Sequence, residues 1–186
     1  MVESILSAAA RVFVREGYAR ASTNRIAAAA GISVGSLYQY FPGKDAIAVA
    51  LLRRHRARVV ETVARHLADI EEASLEVRVR ELFKALLEAQ GLDPGLHRVL
   101  IEQVLRTSAR GEMIGFEDRL EAVVIEKLRD AREDILTTDL ELAAFVLVRT
   151  VIALTHAAVV DRPDYARDPR LVHEVTRMIV GYLTGR

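Results

Sequence analysis

Residues 22–45 read STNRIAAAAGISVGSLYQYFPGKD. Thr23 is placed to N-cap a short helix over residues 24–30, because a threonine hydroxyl accepts a hydrogen bond from a first-turn N–H. Gly31 ends that helix, since glycine alone takes the left-handed conformation of a helix C-terminus without steric cost. Ser33 caps a second short helix to about Tyr40, and Phe41-Pro42-Gly43 breaks the chain after it. Two short helices joined by three residues with glycine in the turn form a helix-turn-helix. Small side chains at Ala27 and Ala30 let the two helices approach, while Ile26 and Leu37 supply the apolar contact. Upstream, Ile5, Ala9, Val12 and Phe13 share one face of a first helix that stops at Gly17.

Downstream the apolar pattern runs without a breaker from Lys44 to about Ile70, through Ile47, Leu51, Leu52, Val59, Val63 and Leu67. At 1.5 Å per residue such a helix is about 40 Å long, more than a three-helix head needs, so it continues into a second domain. The expected boundary divides a head at 1–46 from a body at 47–186. Further helices are expected at about 75–90, 94–108, 113–135, 138–160 and 169–184. Asp93-Pro94 and Asp168-Pro169 place a cap before proline at the first helical position, and Thr138 with Glu141 forms a capping box. The segment Arg162-Pro163-Asp164-Tyr165 is expected to be a loop. With four prolines, ten glycines and no sustained alternation of apolar and polar residues, the fold class is all-α, about nine helices in all.

Residues 143–160 are apolar nearly all the way round, which demands burial in a core or an interface. Arg149 and His156 inside the segment argue against a membrane span. The last helix carries Leu171, Val175, Met178 and Tyr182 on one face. The last two helices could therefore pair with their own copies as a four-helix bundle across a two-fold axis, giving a homodimer.

The 186 residues hold 26 Lys+Arg, 26 Asp+Glu and no cysteine. That composition excludes a disulfide framework, thiolate catalysis and cysteine-ligated metal, and it excludes binding of nucleic acid by bulk charge alone. Charge is divided along the chain, however. Residues 1–56 hold eight basic and three acidic residues, a net +5, which leaves −5 on 57–186. Glu3 and Arg11 interrupt any secretory apolar stretch, so a soluble, cytoplasmic protein is expected. His55, His66, His97, His156 and His173 form no i, i+4 pair, and Gly43-Lys44-Asp45 lacks the hydroxyl of a phosphate-binding loop. No enzyme, cofactor or metal site is indicated.

Ala8-Ala9-Ala10, Phe13, Gly17-Tyr18, Ser22-Thr23, Ile26-Ala27, Ala30-Gly31-Ile32-Ser33, Gly35-Ser36-Leu37-Tyr38-Gln39-Tyr40-Phe41-Pro42 and Lys44-Asp45 closely resemble the DNA-binding domain of TetR-family transcriptional regulators. The resemblance covers residues 4–52. Two positions depart from the family pattern: Gly43 stands where a capping serine is frequent, and Val34 where a basic residue is frequent. The resemblance implies a homodimeric, ligand-responsive repressor whose partners are double-stranded DNA, as a pseudo-palindromic operator, and a largely apolar small-molecule effector. Within such a head the second short helix enters the major groove. Ser33, Val34, Ser36 and Gln39 are then the candidate base-reading positions, with Gln39 able to present a bidentate amide to adenine and Val34 able to meet a thymine methyl. Tyr38, Tyr40 and Lys44 are the candidate phosphate contacts, aided by helix N-terminal amides at Thr23 and Lys44, and Arg25 is a further candidate DNA-binding residue. Ser33 also serves simply as an N-cap, and one of the two tyrosines could equally be a core residue. The cluster Arg53, Arg54, Arg56, Arg58 reads as a solvated helix face.

In the body, Gln90, His97, Gln103, Arg149 and His156 are the polar candidates for a ligand site. Arg149 and His156, seven residues apart, share a helix face and could grip an acidic ligand, or be a satisfied interface pair bonding Glu or Asp across the dimer. A helical small-molecule carrier or protein-interaction module without specific DNA binding is the competing reading of the whole chain.

Overall fold

The computed structural model describes residues 1–69, 73–91, 95–96, 99–100, 110–132 and 135–185. Nine α-helices stand among them and no strand: α1 Val2–Glu16, α2 Thr23–Ala30, α3 Val34–Tyr38, α4 Lys44–Asp69, α5 Leu75–Gly91, α6 Arg110–Asp130, α7 Leu140–His156, the single turn α8 Pro163–Ala166, and α9 Pro169–Thr184. The chain divides into two compact units, Met1–Arg56 with Asp93–Glu112, and Ala57–Leu92 with Met113–Arg186. Of the expected helix at 94–108 only residues 95–96 and 99–100 are described, and they are helical; its Asp93-Pro94 cap and Ile70 lie outside the described residues.

In the first unit, α1 buries Ile5, Leu6, Ala8, Ala9, Val12 and Phe13, the stripe its periodicity predicts. Its end is set by Gly17 at φ 75, whose N–H donates to Phe13 O at 3.0 Å. The cap of α2 is Ser22, not Thr23: Ser22 is extended and its hydroxyl accepts from Arg25 N at 3.3 Å, while Thr23 is already helical. Adjacent hydroxyl residues compete for the cap, and the one at which the backbone leaves the extended region wins. Gly31, at φ 70, ends α2 in the left-handed conformation. Ser33 caps α3 by accepting from Ser36 N at 3.0 Å. Ile26, Ala27, Leu37, Ile47, Leu51 and Phe13 are all essentially buried and form the head's core, whereas Ala30 is half-buried. Burial of a side chain such as Leu37 contributes about 1.5–3 kcal/mol.

In the second unit, α5 packs along α9, and two apolar clusters form the interior. One gathers Phe83, Leu87, Leu128, Ile135, Ala143, Ala144, Val175 and Ile179. The other gathers Val59, Val63, Leu86, Phe116, Leu120 and Val148. The cap of α7 is Asp139, whose carboxylate accepts from Leu142 N at 2.9 Å, in place of the Thr138–Glu141 box. An anionic acceptor beside the first-turn amides and the positive end of the helix dipole outcompetes a neutral hydroxyl one residue earlier. The Asp168-Pro169 start of α9 is as expected, Asp168 accepting from Arg170 N at 2.9 Å. The segment expected to be a loop at 162–165 instead contains the helical turn α8, because Pro163 at its first position is already set to a helical φ.

The long apolar helix behaves differently from a fully enclosed one. α7 continues through a π-helical turn, Ala157–Asp161, closed by Arg162 N donating to Ala157 O at 2.9 Å. Just before it, Thr155 is buried and its hydroxyl turns back onto Val151 O and Ile152 O, a local bond that competes with the regular helix ladder. Ala143, Ala144, Leu147 and Val148 are buried, yet Leu142 and Phe145 on the opposite face are 55% and 47% exposed. Met178 and Tyr182 of α9 are similarly open.

Candidate nucleic-acid interface and body cavity

In the head, α3 presents Tyr38, Gln39 and Tyr40 to solvent, with Ser36 and Val34 half-buried beside them. The hydroxyls of Ser33 and Ser36 share a hydrogen bond of 2.8 Å, so Ser33 is engaged twice, as cap and as partner of Ser36. Thr23 Oγ1 and Tyr38 Oη lie 3.2 Å apart, which ties the start of α2 to the exposed side of α3. Both tyrosine rings are about half exposed, so neither is a core residue.

The two cations expected at the DNA, Arg25 and Lys44, are held within the head. Arg25 pairs with Glu16, which also takes Arg15 at 2.6 Å. Hydrogen bonds from Arg15 first, and then Arg25, keep the Glu16 carboxyl below its ordinary range. Lys44 Nζ donates to Tyr18 O at 2.9 Å, Ala21 O at 3.1 Å and Ala19 O at 3.4 Å, and stands 4.6 Å from the centre of the Tyr18 ring. The Tyr18 hydroxyl bonds Asp45, and burial, followed by that carboxylate, pushes its pKa upward. Lys44, Tyr18 and Asp45 thus clamp the segment after α1 to the start of α4. Sequence reasoning overlooked Glu16, Tyr18 and Asp45 as organisers. The only hint was that each adjoins a helix boundary. The arginine cluster is not a uniform solvated face either: Arg53 is exposed and Arg54 pairs with Glu3 at 2.7 Å, but Arg56 is only 5% exposed.

In the second unit, α4, α5, α6, α7 and α9 line a half-open cavity of about 140 Å³. Val63, Leu82, Phe83, Phe116, Val148 and Val151 are among its walls, and among the described residues Arg78, Lys127 and Thr155 are the polar ones of its lining. Neither Arg149 nor His156 faces it. Arg149 instead bridges Glu117 and, at 3.2 Å, Glu121 on α6, with its guanidinium 5.2 Å from the centre of the Phe145 ring. The side chain of Gln90, and His97 and Gln103, lie outside the described residues.

A helix-turn-helix head with an exposed polar edge, joined by a continuous helix to an all-helical body with an apolar cavity, defines a helical DNA-binding regulator. Residues 5–51 match the family described as bacterial regulatory proteins, tetR family, and residues 74–183 match the tetracyclin repressor-like C-terminal domain. The chain belongs to the TetR family of transcriptional regulators. It is 29% identical over 118 residues to the nucleoid occlusion factor SlmA of Glaesserella parasuis, covering 63% of this chain and 53% of SlmA. It is 31% identical over 129 residues to the transcriptional repressor AcnR of Corynebacterium diphtheriae, covering 68% of this chain and 63% of AcnR. The match therefore spans less than two thirds of either relative. Among solved structures, Thermus thermophilus FadR, a transcriptional repressor in complex with lauroyl-CoA, superposes with a TM-score of 0.67 over 97% of this chain and 93% of that one, at 24% identity.

Proposed function

We propose that this regulator is a repressor that reads a pseudo-palindromic operator as a homodimer and is released from it by a small molecule bound in the body cavity. The observation that carries the DNA reading is the exposed edge of the head, where Ser36, Tyr38, Gln39 and Tyr40 stand together on and just after α3. Gln39 reads a base edge, Ser36 and Val34 make shorter base contacts, and Tyr38 and Tyr40 place hydroxyls against phosphate. Thr23 orients Tyr38. Lys44 and Arg25 act mainly by holding the head's shape, and the amides at the start of α4 supply the phosphate contact there.

The dimer is carried by the open apolar stripe of Leu142, Phe145, Met178 and Tyr182 on α7 and α9. Residues 140–161 form a helical stretch with mean hydropathy 2.0, long and apolar enough to cross a membrane by length and composition. The ion pairs of Arg149 to Glu117 and Glu121, and the family's DNA-binding role, favour a protein partner for that stripe in a cytoplasmic regulator. Two-fold symmetry then sets the heads on major grooves about 34–36 Å apart, or a multiple of it. AcnR and FadR are repressors, and FadR was solved with a ligand. In this chain α4 supplies Ile47 and Leu51 to the head's core and Val59 and Val63 to the cavity wall. A ligand that favours one placement of α4 shifts the population of heads in register with the operator.

The test is a gel shift and footprint on DNA flanking the protein's own gene. Sequence-selective, salt-dependent binding is expected, with Gln39→Ala altering preference at particular base pairs. Equal weakening at every site would remove Gln39 as a base reader, and no selective binding at all would favour the carrier reading.

A further inference from the structure

The walls of the body cavity are chiefly Leu, Val, Ile and Phe side chains, and among the described residues three polar ones, Arg78, Lys127 and Thr155, border it. Each of the three is already bonded within the protein. Arg78 Nε donates to Ala73 O at 2.8 Å, and Lys127 Nζ pairs with Asp130 at 3.2 Å. The hydroxyl of Thr155, a residue only 1% exposed, donates to Val151 O and Ile152 O of its own helix. A guest that bonded to any of them would displace a partner already in place, and such an exchange gains little. What the cavity offers a guest is apolar contact.

We infer that the effector is a small neutral hydrocarbon or aromatic molecule, about the size of one substituted ring, held by apolar contact with no charged group recognised. This rests on the effector-controlled reading above and names the effector's class. The volume of about 140 Å³ sets the size, because a cavity of about 150 Å³ lined by aliphatic and aromatic side chains admits benzene. The half-open side of the cavity gives such a molecule a way in. Its binding is driven by the apolar surface that it and the walls remove from water, which needs no directional bond. A carboxylate or ammonium on the same ring gains the same contact but gives up hydration beside walls whose described polar groups are engaged elsewhere.

The experiment measures toluene, benzoate and benzylamine on the full-length protein, by calorimetry and by release from the DNA that footprinting defines. Calorimetry reads the cavity whether or not DNA is bound. Toluene is expected to bind, and benzoate and benzylamine each about a hundredfold or more weaker, because an ionised group without a partner is costly to take from water. Val148→Phe, which puts a ring into the space, should abolish toluene binding. Leu82→Ala, which enlarges it, should move the preference from toluene toward butylbenzene. Arg78→Met and Lys127→Met should leave toluene affinity unchanged. Circular dichroism melts check that each variant is folded, and Leu82→Ala carries the size test if Val148→Phe is not. Benzoate or benzylamine binding as tightly as toluene overturns the inference, as does toluene binding untouched by both wall variants or lost in either folded Met variant. Absence of toluene binding at millimolar concentration overturns it as well. Toluene binding with no change in operator affinity keeps the apolar site and defeats effector control instead.

Discussion

The head and the body are both helical and both close around buried Leu, Ile, Val and Phe, but they spend their polar groups differently. In the head nearly every charged or hydroxyl side chain near α3 is bonded within the unit: Glu16 to Arg15 and Arg25, Lys44 to three carbonyls, Tyr18 to Asp45, Thr23 to Tyr38. What stays exposed there is a short polar edge on a braced frame. In the body the interior around the cavity is almost wholly apolar, two cations border it, and an apolar stripe lies open on α7 and α9. The difference suits the two tasks of the proposed function. Reading a groove needs side chains held in place, whereas responding to a ligand needs an interior that can repack.

Truncating the head's core should break that contrast most severely. Leu37→Ala should cost about 2–5 kcal/mol, abolish operator binding and leave the body's own unfolding intact, as circular dichroism melts beside a gel shift would show. Loss of both together would mean that the two units do not fold separately.

The ion pairs give a smaller, graded test. Arg149→Met leaves Glu117 and Glu121 facing each other in a half-buried setting and should cost about 1–3 kcal/mol in urea unfolding, toward the lower end because Arg149 is partly exposed. Arg25→Met, at a pair whose arginine side chain is 56% exposed, should cost less than about 1 kcal/mol. A reversed order would show that the head, not the body, depends on its charges.

Caps separate the units by a similar margin. Ser22→Ala and Asp139→Ala should each cost about 1 kcal/mol, and Thr23→Ala and Thr138→Ala distinctly less, in paired thermal melts. Thr23→Ala should still weaken DNA binding, because Tyr38 loses its partner. The smallest effect concerns pH. Since the Glu16 carboxyl is held below its ordinary 4.5, the stabilisation it brings is present above that value and fades as pH falls through the lower folded one. Glu16→Gln should flatten that acid limb of the head's unfolding curve and leave the body's unchanged.

Much of the head was legible in order along the chain. Gly17, Gly31 and Ser33 do what their residue types dictate, and the stripe of α1 follows from its spacing. The caps of α2 and α7 missed by one residue, because Ser22-Thr23 and Thr138-Asp139 each offer two capable neighbours and local chemistry alone does not choose. The motif put Tyr38, Gln39 and Tyr40 beside the groove but left open a core role for one tyrosine, which the exposure of both rings excludes. The engagement of Arg25 and Lys44 did not, since Glu16 lies nine residues from Arg25 and the carbonyl of Tyr18 lies 26 from Lys44. The pairing of Arg149 was equally hidden, since its carboxylate partners, Glu117 and Glu121, sit 32 and 28 residues earlier on another helix.

The amino-acid order by itself determined the helices, most of their ends, the helix-turn-helix and the division of charge into +5 and −5. These depend on hydrogen bonds and periodicity that act within a few residues. Only the tertiary structure decided which cations are neutralised inside the head, which face of the long apolar helix stays open, and that Arg78 and Lys127 border the cavity in place of Arg149 and His156. Those outcomes depend on which side chains from five separate helices arrive at one place, and packing across such distances leaves no periodic trace in the chain.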